Sequence, residues 1–221
     1  MGISCQVRLV KNSAATRRDA TRETILAAGV QCFSRDGYRR TALDRVAREA
    51  GISRAALYLH FANKEELFRA LVGDLHARTV EDAAAAARGT GALADRVAAV
   101  LIAKGGPFFD LLRMSAHAEE FVDENHRLCG DLSTEASAKH ARLLAKMLAT
   151  ADAAGAISLA SAGLSAARAA ELLLDTAEGI KHRGQATLSP AAFRQRLTEA
   201  VRVFTAGLAP PAGSARRRQG A

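Results

Sequence analysis

Thr41-Ala42-Leu43-Asp44-Arg45-Val46-Ala47-Arg48-Glu49-Ala50-Gly51-Ile52-Ser53-Arg54-Ala55-Ala56-Leu57-Tyr58-Leu59-His60 is the stretch that decides how this chain is read. Two short helical segments meet at Gly51, and each special position has a steric reason. Thr41 is placed to cap the first segment, whose inner face is Leu43, Val46, Ala47 and Ala50. Ala47 is small where the second segment crosses over it. Gly51 supplies a positive φ without a Cβ penalty. Val46, Ile52 and Leu57 form the wedge between the helices. Ser53 caps the second segment, so its first turn can face a groove and offer Arg54, whose guanidinium fork suits a guanine edge or a phosphate. Tyr58 lies one turn further on and can donate to a phosphate. His60 and Lys64 flank the next helix start, where cations and backbone N–H groups both suit a phosphate. Read alone, the segment is also compatible with an ordinary helical hairpin in a bundle.

Working outward, Ile25, Leu26, Gly29, Val30 and Phe33 recur on one helix face from about Asp19, and Asp36-Gly37 ends that helix. Asn63 caps a fourth helix, with Glu66 placed to reach back and Glu65 and Glu66 at the positive end of the helix dipole. The rest of the chain is helical in pattern, with breaks expected at Gly89-Thr90-Gly91, Gly105-Gly106-Pro107, near Gly130, at Gly155–Gly163 and around Gly184. Ser189-Pro190 is a complete helix start. The expectation is an all-α fold of about nine helices: a three-helix helix-turn-helix domain followed by a second, larger helical domain. Its divisions are a flexible basic arm over 1–18, the helix-turn-helix domain over 19–66, the second domain over 67–208, and a disordered basic tail over 209–221.

The chain has 221 residues, 49% apolar and 24% charged, enough for a sizeable core. Its formal charge of +8 is unevenly placed. Residues 1–70 hold 13 Lys and Arg against 7 Asp and Glu, and residues 71–208 hold 15 against 16. A basic module joined to a neutral body is the charge distribution of a polyanion binder with a second task, although a solvated basic face would carry the same charge. No apolar run approaches the ~18 residues of a membrane span. Gln6 stands where a myristoylation signal needs Ser or Thr. Cys5, Cys32 and Cys129 make no disulfide framework, and the expected location is cytoplasmic. No Gly-rich phosphate loop, Gly-x-Ser-x-Gly elbow or His-Glu-x2-His is present, so neither an enzyme nor a cofactor is expected. His126-x2-Cys129 with His140 lacks paired ligand spacing and is not read as a metal site.

The combined spacing is more specific than any one piece of it. Ile25-Leu26-x-Ala28-x4-Phe33, Gly37-Tyr38-x2-Thr41, Val46-Ala47-x2-Ala50-Gly51-Ile52-Ser53 and Leu57-Tyr58-x-His60-Phe61-x-Asn63-Lys64-Glu65-x-Leu67 follow one another in order. From Glu23 to Leu71, 49 of 221 residues, the chain resembles the DNA-binding domain of the tetracycline-repressor (TetR) family. Ala42 departs from the second Thr often found there, removing one hydroxyl. Ala55 and Ala56 leave a small apolar reading surface, which puts base discrimination on Arg54 and on methyl contacts to thymine. The resemblance implies that Thr41, Ser53, Arg54, Ala55, Tyr58, His60 and Lys64 lie on double-stranded operator DNA.

It also implies a homodimer, a small-molecule effector and a regulator that is released from a palindromic operator when the effector binds. One short reading helix contacts too few bases, whereas two about 34–36 Å apart read a palindrome. Leu172, Leu173, Thr176 and Ile180 on one late helix, and Phe193, Leu197, Val201 and Phe204 on the next, are the expected dimer face, with a plain core as the competing reading. Phe108, Phe109, Arg113, Met114, His117 and Phe121 are the candidate effector pocket, suited to an apolar or aromatic ligand, and a plain core explains these residues equally well. The helix that starts at Lys64 is expected to carry the effector's signal to the reading helices. The alternatives are an activator or ligand-independent regulator of the same family and, from another class, an all-α enzyme or interaction bundle.

Overall fold

The computed structural model describes residues 17–184 and 186–210. Most of the arm over 1–18 and of the tail over 209–221 lies outside them, and the first helix already begins at Arg17. Among the described residues there are eight α-helices and no strand: α1 (Arg17–Asp36), α2 (Leu43–Glu49), α3 (Arg54–Tyr58), α4 (Lys64–Ala87), α5 (Leu93–Met114), α6 (Ala118–Ala153), α7 (Ala166–Gly184) and α8 (Pro190–Gly207). A single 3-10 turn, Ala160–Ala162, lies before α7.

These helices enclose two apolar cores. The first gathers Ile25, Leu26, Ala28, Cys32 and Phe33 of α1 with Val46, Leu57 and Phe61, against Leu67, Phe68, Leu71 and Val72 of α4. The i, i+3, i+4, i+7 spacing on α1 is the reason one face of it is buried. Phe68 is the hub, with ring centroids 5.6 Å from Phe33, 5.1 Å from Tyr38 and 5.1 Å from Phe121 of α6. Leu112, Phe121 and Cys129 also belong to this core, so the head formed by α1–α3 is not packed on α4 alone. The second core joins Ala83 of α4 to α5, α6, α7 and α8, and is centred on Leu101, Phe109, Leu144, Leu148, Leu173, Phe193 and Leu197.

Two of the expected breaks behave differently. The Gly105-Gly106-Pro107 segment does not end a helix: α5 runs through it. An interior proline costs about 3 kcal/mol, and here packing offsets that cost. Phe109 stacks on Phe193 at 4.2 Å with 5° between the rings. The Phe193 ring also lies 3.4 Å from where a Cβ on Gly105 would be. Near Gly130 the backbone bends rather than stops, with Cys129 at φ −130 and ψ 16 inside α6. Arg69 of α4 holds this bend, donating to the Leu128 carbonyl and, at 2.7 Å, to Asp131. One uninterrupted α5 and one bent α6 explain why eight helices replace nine.

The turn between α1 and α2 carries the tightest fit in the head. Gly37 has φ +83, and a Cβ there would collide with Glu120 Oε2 and meet the His117 ring at 3.2 Å. The Arg39 N–H next to it donates to Glu120 Oε1 at 2.7 Å. Gly37→Ala should therefore lower stability by about 1–2 kcal/mol, roughly 2–8 °C in melting midpoint. An unchanged thermal melt would show that the turn is not constrained.

Candidate nucleic-acid interface

The five-residue α3 is too short to be stable alone and is fixed at both ends. Ser53 Oγ accepts from the Ala56 N–H at 3.1 Å, and Leu57 is fully buried beneath. Gly51 (φ +69) closes the turn, with the Ile52 N–H donating to Ala47 O at 3.0 Å. This anchoring turns Arg54, Ala55, Tyr58 and Leu59 outward as one exposed strip. Arg54 is already oriented: its Nη1 donates to Asp44 Oδ2 at 2.8 Å and its guanidinium lies 5.4 Å from the Tyr58 ring centroid. His60 is half-buried beside Phe61.

Two residues expected on this surface have other tasks. Thr41 is 2% exposed and does not cap α2, whose N-cap is Ala42 with no side-chain bond. Its hydroxyl instead donates to Gly37 O at 2.6 Å, satisfying a carbonyl left over at the end of α1. Lys64 turns back into the protein. Its Nζ donates to Tyr38 O at 2.8 Å and Arg39 O at 3.2 Å, and sits 4.4 Å from the centre of the Tyr38 ring. Burial pulls its ammonium below the ordinary lysine value, against the opposing influence of Glu124, Glu120 and Glu65. Asn63 does cap α4, accepting from Glu66 N–H at 2.8 Å, while Glu66 reaches Ala62 N–H at 2.7 Å.

Much of the head's positive charge is spent internally. Arg35 pairs with Glu49 at 3.1 Å, Arg45 with Asp36 at 2.8 Å, and Arg39 with Glu124 at 3.5 Å. The sequence reading missed Asp44 and Leu59. Asp44 is ten residues from the arginine it orients, and Leu59, 77% exposed, follows an α3 that ends one residue before it.

The expected effector residues do not converge. Phe109 belongs to the second core, Phe121 to the head's core, Met114 is 72% exposed, and Arg113 donates to Ala186 O at 3.2 Å. His117 precedes α6 against Gly37. They part because α5 ends at Met114 and the chain turns before α6 begins. Of these residues only Phe108 lines a partly open cavity of about 210 Å³ between α4, α5, α6 and α7. Its other walls include His76, Lys104, Asn125, Ser133, His140 and Glu178. His76 Nε2 lies 3.2 Å from Ser133 Oγ, and its ring centroid is 4.8 Å from that of Phe108. Cys129 is buried at the bend, its thiol pushed up to about 11 by burial.

The expected dimer face is divided as well. Leu173, Phe193, Leu197 and Val201 are at most 1% exposed inside the chain's own core and are not open to a second chain. They point toward α4–α6, whereas Leu172, Thr176, Ile180 and Phe204 stay partly or fully exposed. Val203, 76% exposed on α8, was not foreseen.

A helix-turn-helix head on a helical body is the class of protein this architecture defines. Residues 25–71 match the family model described as bacterial regulatory proteins, tetR family. The HTH-type transcriptional regulator TtgR of Pseudomonas putida is 45% identical over 56 residues, 25% of this chain and 27% of TtgR. The HTH-type transcriptional activator FasR of Mycolicibacterium smegmatis is 31% identical over 108 residues, 49% of this chain and 48% of FasR. SmeT, the repressor of the Stenotrophomonas maltophilia multidrug efflux pump SmeDEF, shares the fold with a TM-score of 0.63 at 22% identity, over 88% of this chain and 93% of SmeT. Over residues 25–71 the chain is similar to bacterial regulatory proteins of the tetR family. It spans about a quarter of TtgR's length and half of FasR's in sequence, whereas the likeness of fold extends over the body. No helix among the described residues is long and apolar enough to cross a membrane.

Two expected outcomes follow from these contacts. Lys64→Ala should lower stability by about 1 kcal/mol, since two charge-assisted bonds in a half-exposed setting are lost; a melt unchanged from the parent would return Lys64 to a purely surface role. His76 is lowered to about 4 by burial, helped by Lys104, His140 and Lys181. On acidification the unfolded chain binds that proton first. Stability therefore falls as pH drops from about 6.5 toward about 4, and His76→Gln should flatten this part of a melting-temperature profile against pH.

Proposed function

We propose that the protein is a homodimeric transcriptional regulator, a repressor that binds a palindromic DNA operator and is released by a small-molecule effector. The observation that carries this reading is the capped, buried-backed α3, which holds Arg54, Ala55 and Tyr58 outward on one face. Arg54 is the base reader, and Asp44 and Tyr58 hold its fork in a reachable pose. Tyr58, Ser53 and His60 face the phosphates, and Leu59 offers an apolar contact for a thymine methyl or a sugar. Thr41 and Lys64 act from behind, fixing the turn that carries α2.

The chain divides into a head over 19–66 and a body over 67–208, with α4 shared between the two cores. Leu172, Thr176, Ile180 and Phe204, joined by Val203, form the face for a second copy. The similar protein SmeT is named a repressor and has also been seen in complex with triclosan, which supports both the sign of regulation and the response to a ligand. The effector favours a state in which two α3 helices no longer fit adjacent major-groove turns.

The test is fluorescence anisotropy with duplex DNA from upstream of the protein's own gene, repeated over a salt series. Binding should weaken linearly in log–log form with salt. Arg54→Ala should cost about 1–3 kcal/mol on the operator and loosen its sequence preference. A monomeric preparation with no salt-sensitive association would overturn the reading.

A further inference from the structure

The cavity between α4 and α7 has a charge and a hydrogen-bonding deficit that specify an occupant. Lys104 reaches it from α5 with its side chain only 20% exposed. Among the described residues its ammonium makes no hydrogen bond, and its carboxylate neighbour, Glu178 Oε2, is 3.8 Å away. The other Glu178 oxygen is held by Lys181 at 2.5 Å. One carboxylate thus faces two ammonium groups, and the wall is left with a net positive charge. A largely buried ammonium with so little compensation is costly until an anion joins it.

Asn125 adds a second requirement. It lines the cavity, but its Oδ1 is closed off from the open space and has no hydrogen-bond partner among the described residues, so an occupant's donor reaches it once the amide turns toward the cavity. Phe108 and His76 supply a ring-lined wall. His140 offers little to an occupant: its Nδ1 is 2.7 Å from Ala136 O and its Nε2 is 3.3 Å from Thr79 O. A dry cavity of about 150 Å³ accepts benzene, so the 210 Å³ here is the size for one substituted ring.

We infer that this cavity is a binding site for a single-ring aromatic acid bearing a hydroxyl or amine donor, and that this acid is the effector. The carboxylate lies against Lys104, the ring against Phe108 and His76, and the donor on Asn125 Oδ1. The inference rests on the effector-responsive reading above and narrows it. A purely apolar ring, the class suggested by the phenylalanine-rich run, would leave Lys104 with only the distant Glu178 carboxylate and Asn125 Oδ1 with no partner among the described residues.

The test is titration calorimetry of the full chain with para-hydroxybenzoate, para-hydroxybenzamide and benzoate. The hydroxy acid should bind once per chain, at least about tenfold tighter than the neutral amide or the acid lacking the donor. Lys104→Met should abolish the advantage of acid over amide while melting no lower than the parent, since it removes a buried charge. Equal affinity for acid and amide, an unaffected Lys104→Met, or no binding of any of the three up to about 10 mM would overturn the assignment. Operator binding is followed in the same preparations. Bound hydroxy acid with unchanged DNA affinity would overturn the effector role and uphold the site. Release of DNA by neutral rings alone, in parent and Lys104→Met alike, would uphold the effector reading and overturn the acid.

Discussion

Lys64 folding back over Tyr38 is the contact on which the head's geometry depends. Its ammonium gathers the carbonyls of Tyr38 and Arg39, at the point where the chain has just turned through Gly37. From the other side Glu120 of α6 accepts from the Arg39 N–H, and Glu124, 5% exposed, accepts from Arg127 at 2.8 Å and sits 3.5 Å from Arg39. The α1–α2 turn is therefore clamped between the first turn of α4 and the first turns of α6. Because α2 and α3 follow directly, the direction in which α3 points is set by residues of the body as well as of the head. Any shift of α4 against α6 must be transmitted to this turn or must break its bonds.

The same economy explains why a strongly basic head presents rather few uncommitted cations. Arg35, Arg39, Arg45 and Lys64 are used to lock helices together, and Arg54 is held in reserve by an exposed partner. The Arg54–Asp44 pair is largely solvated, with side chains 67% and 47% exposed, so parting it costs little. A guanidinium held this way has its fork ordered in advance, and under the proposed operator binding this reduces the entropy lost.

The features legible in the sequence were those with local causes. Gly51, Ser53, Asn63 and Ser189 occupy the turn and cap positions their chemistry demands, since each acts within three or four residues of itself. What was not legible depended on partners far along the chain. Gly105-Gly106-Pro107 reads as a stop until Phe193 is placed against it. Thr41 reads as a cap until the turn tucks it beneath α1. The α8 stripe reads equally as core or interface, and only packing shows Phe193, Leu197 and Val201 turned inward. The cavity was the hardest to foresee, because His76, Lys104, Asn125, His140 and Glu178 come from four helices and no two of them form a recognisable spacing.

If the head is oriented by the body, the two must open together, and native-state hydrogen exchange of the full chain through a denaturant series measures this directly. The buried amides of α1 and α2, with those of α3 beneath Leu57, are predicted to merge into one opening isotherm with the amides of α6 around Phe121. Separate behaviour, with the α1–α3 amides opening at a lower free energy while those around Phe121 remain unaffected, would contradict the clamp and the coupling built on it.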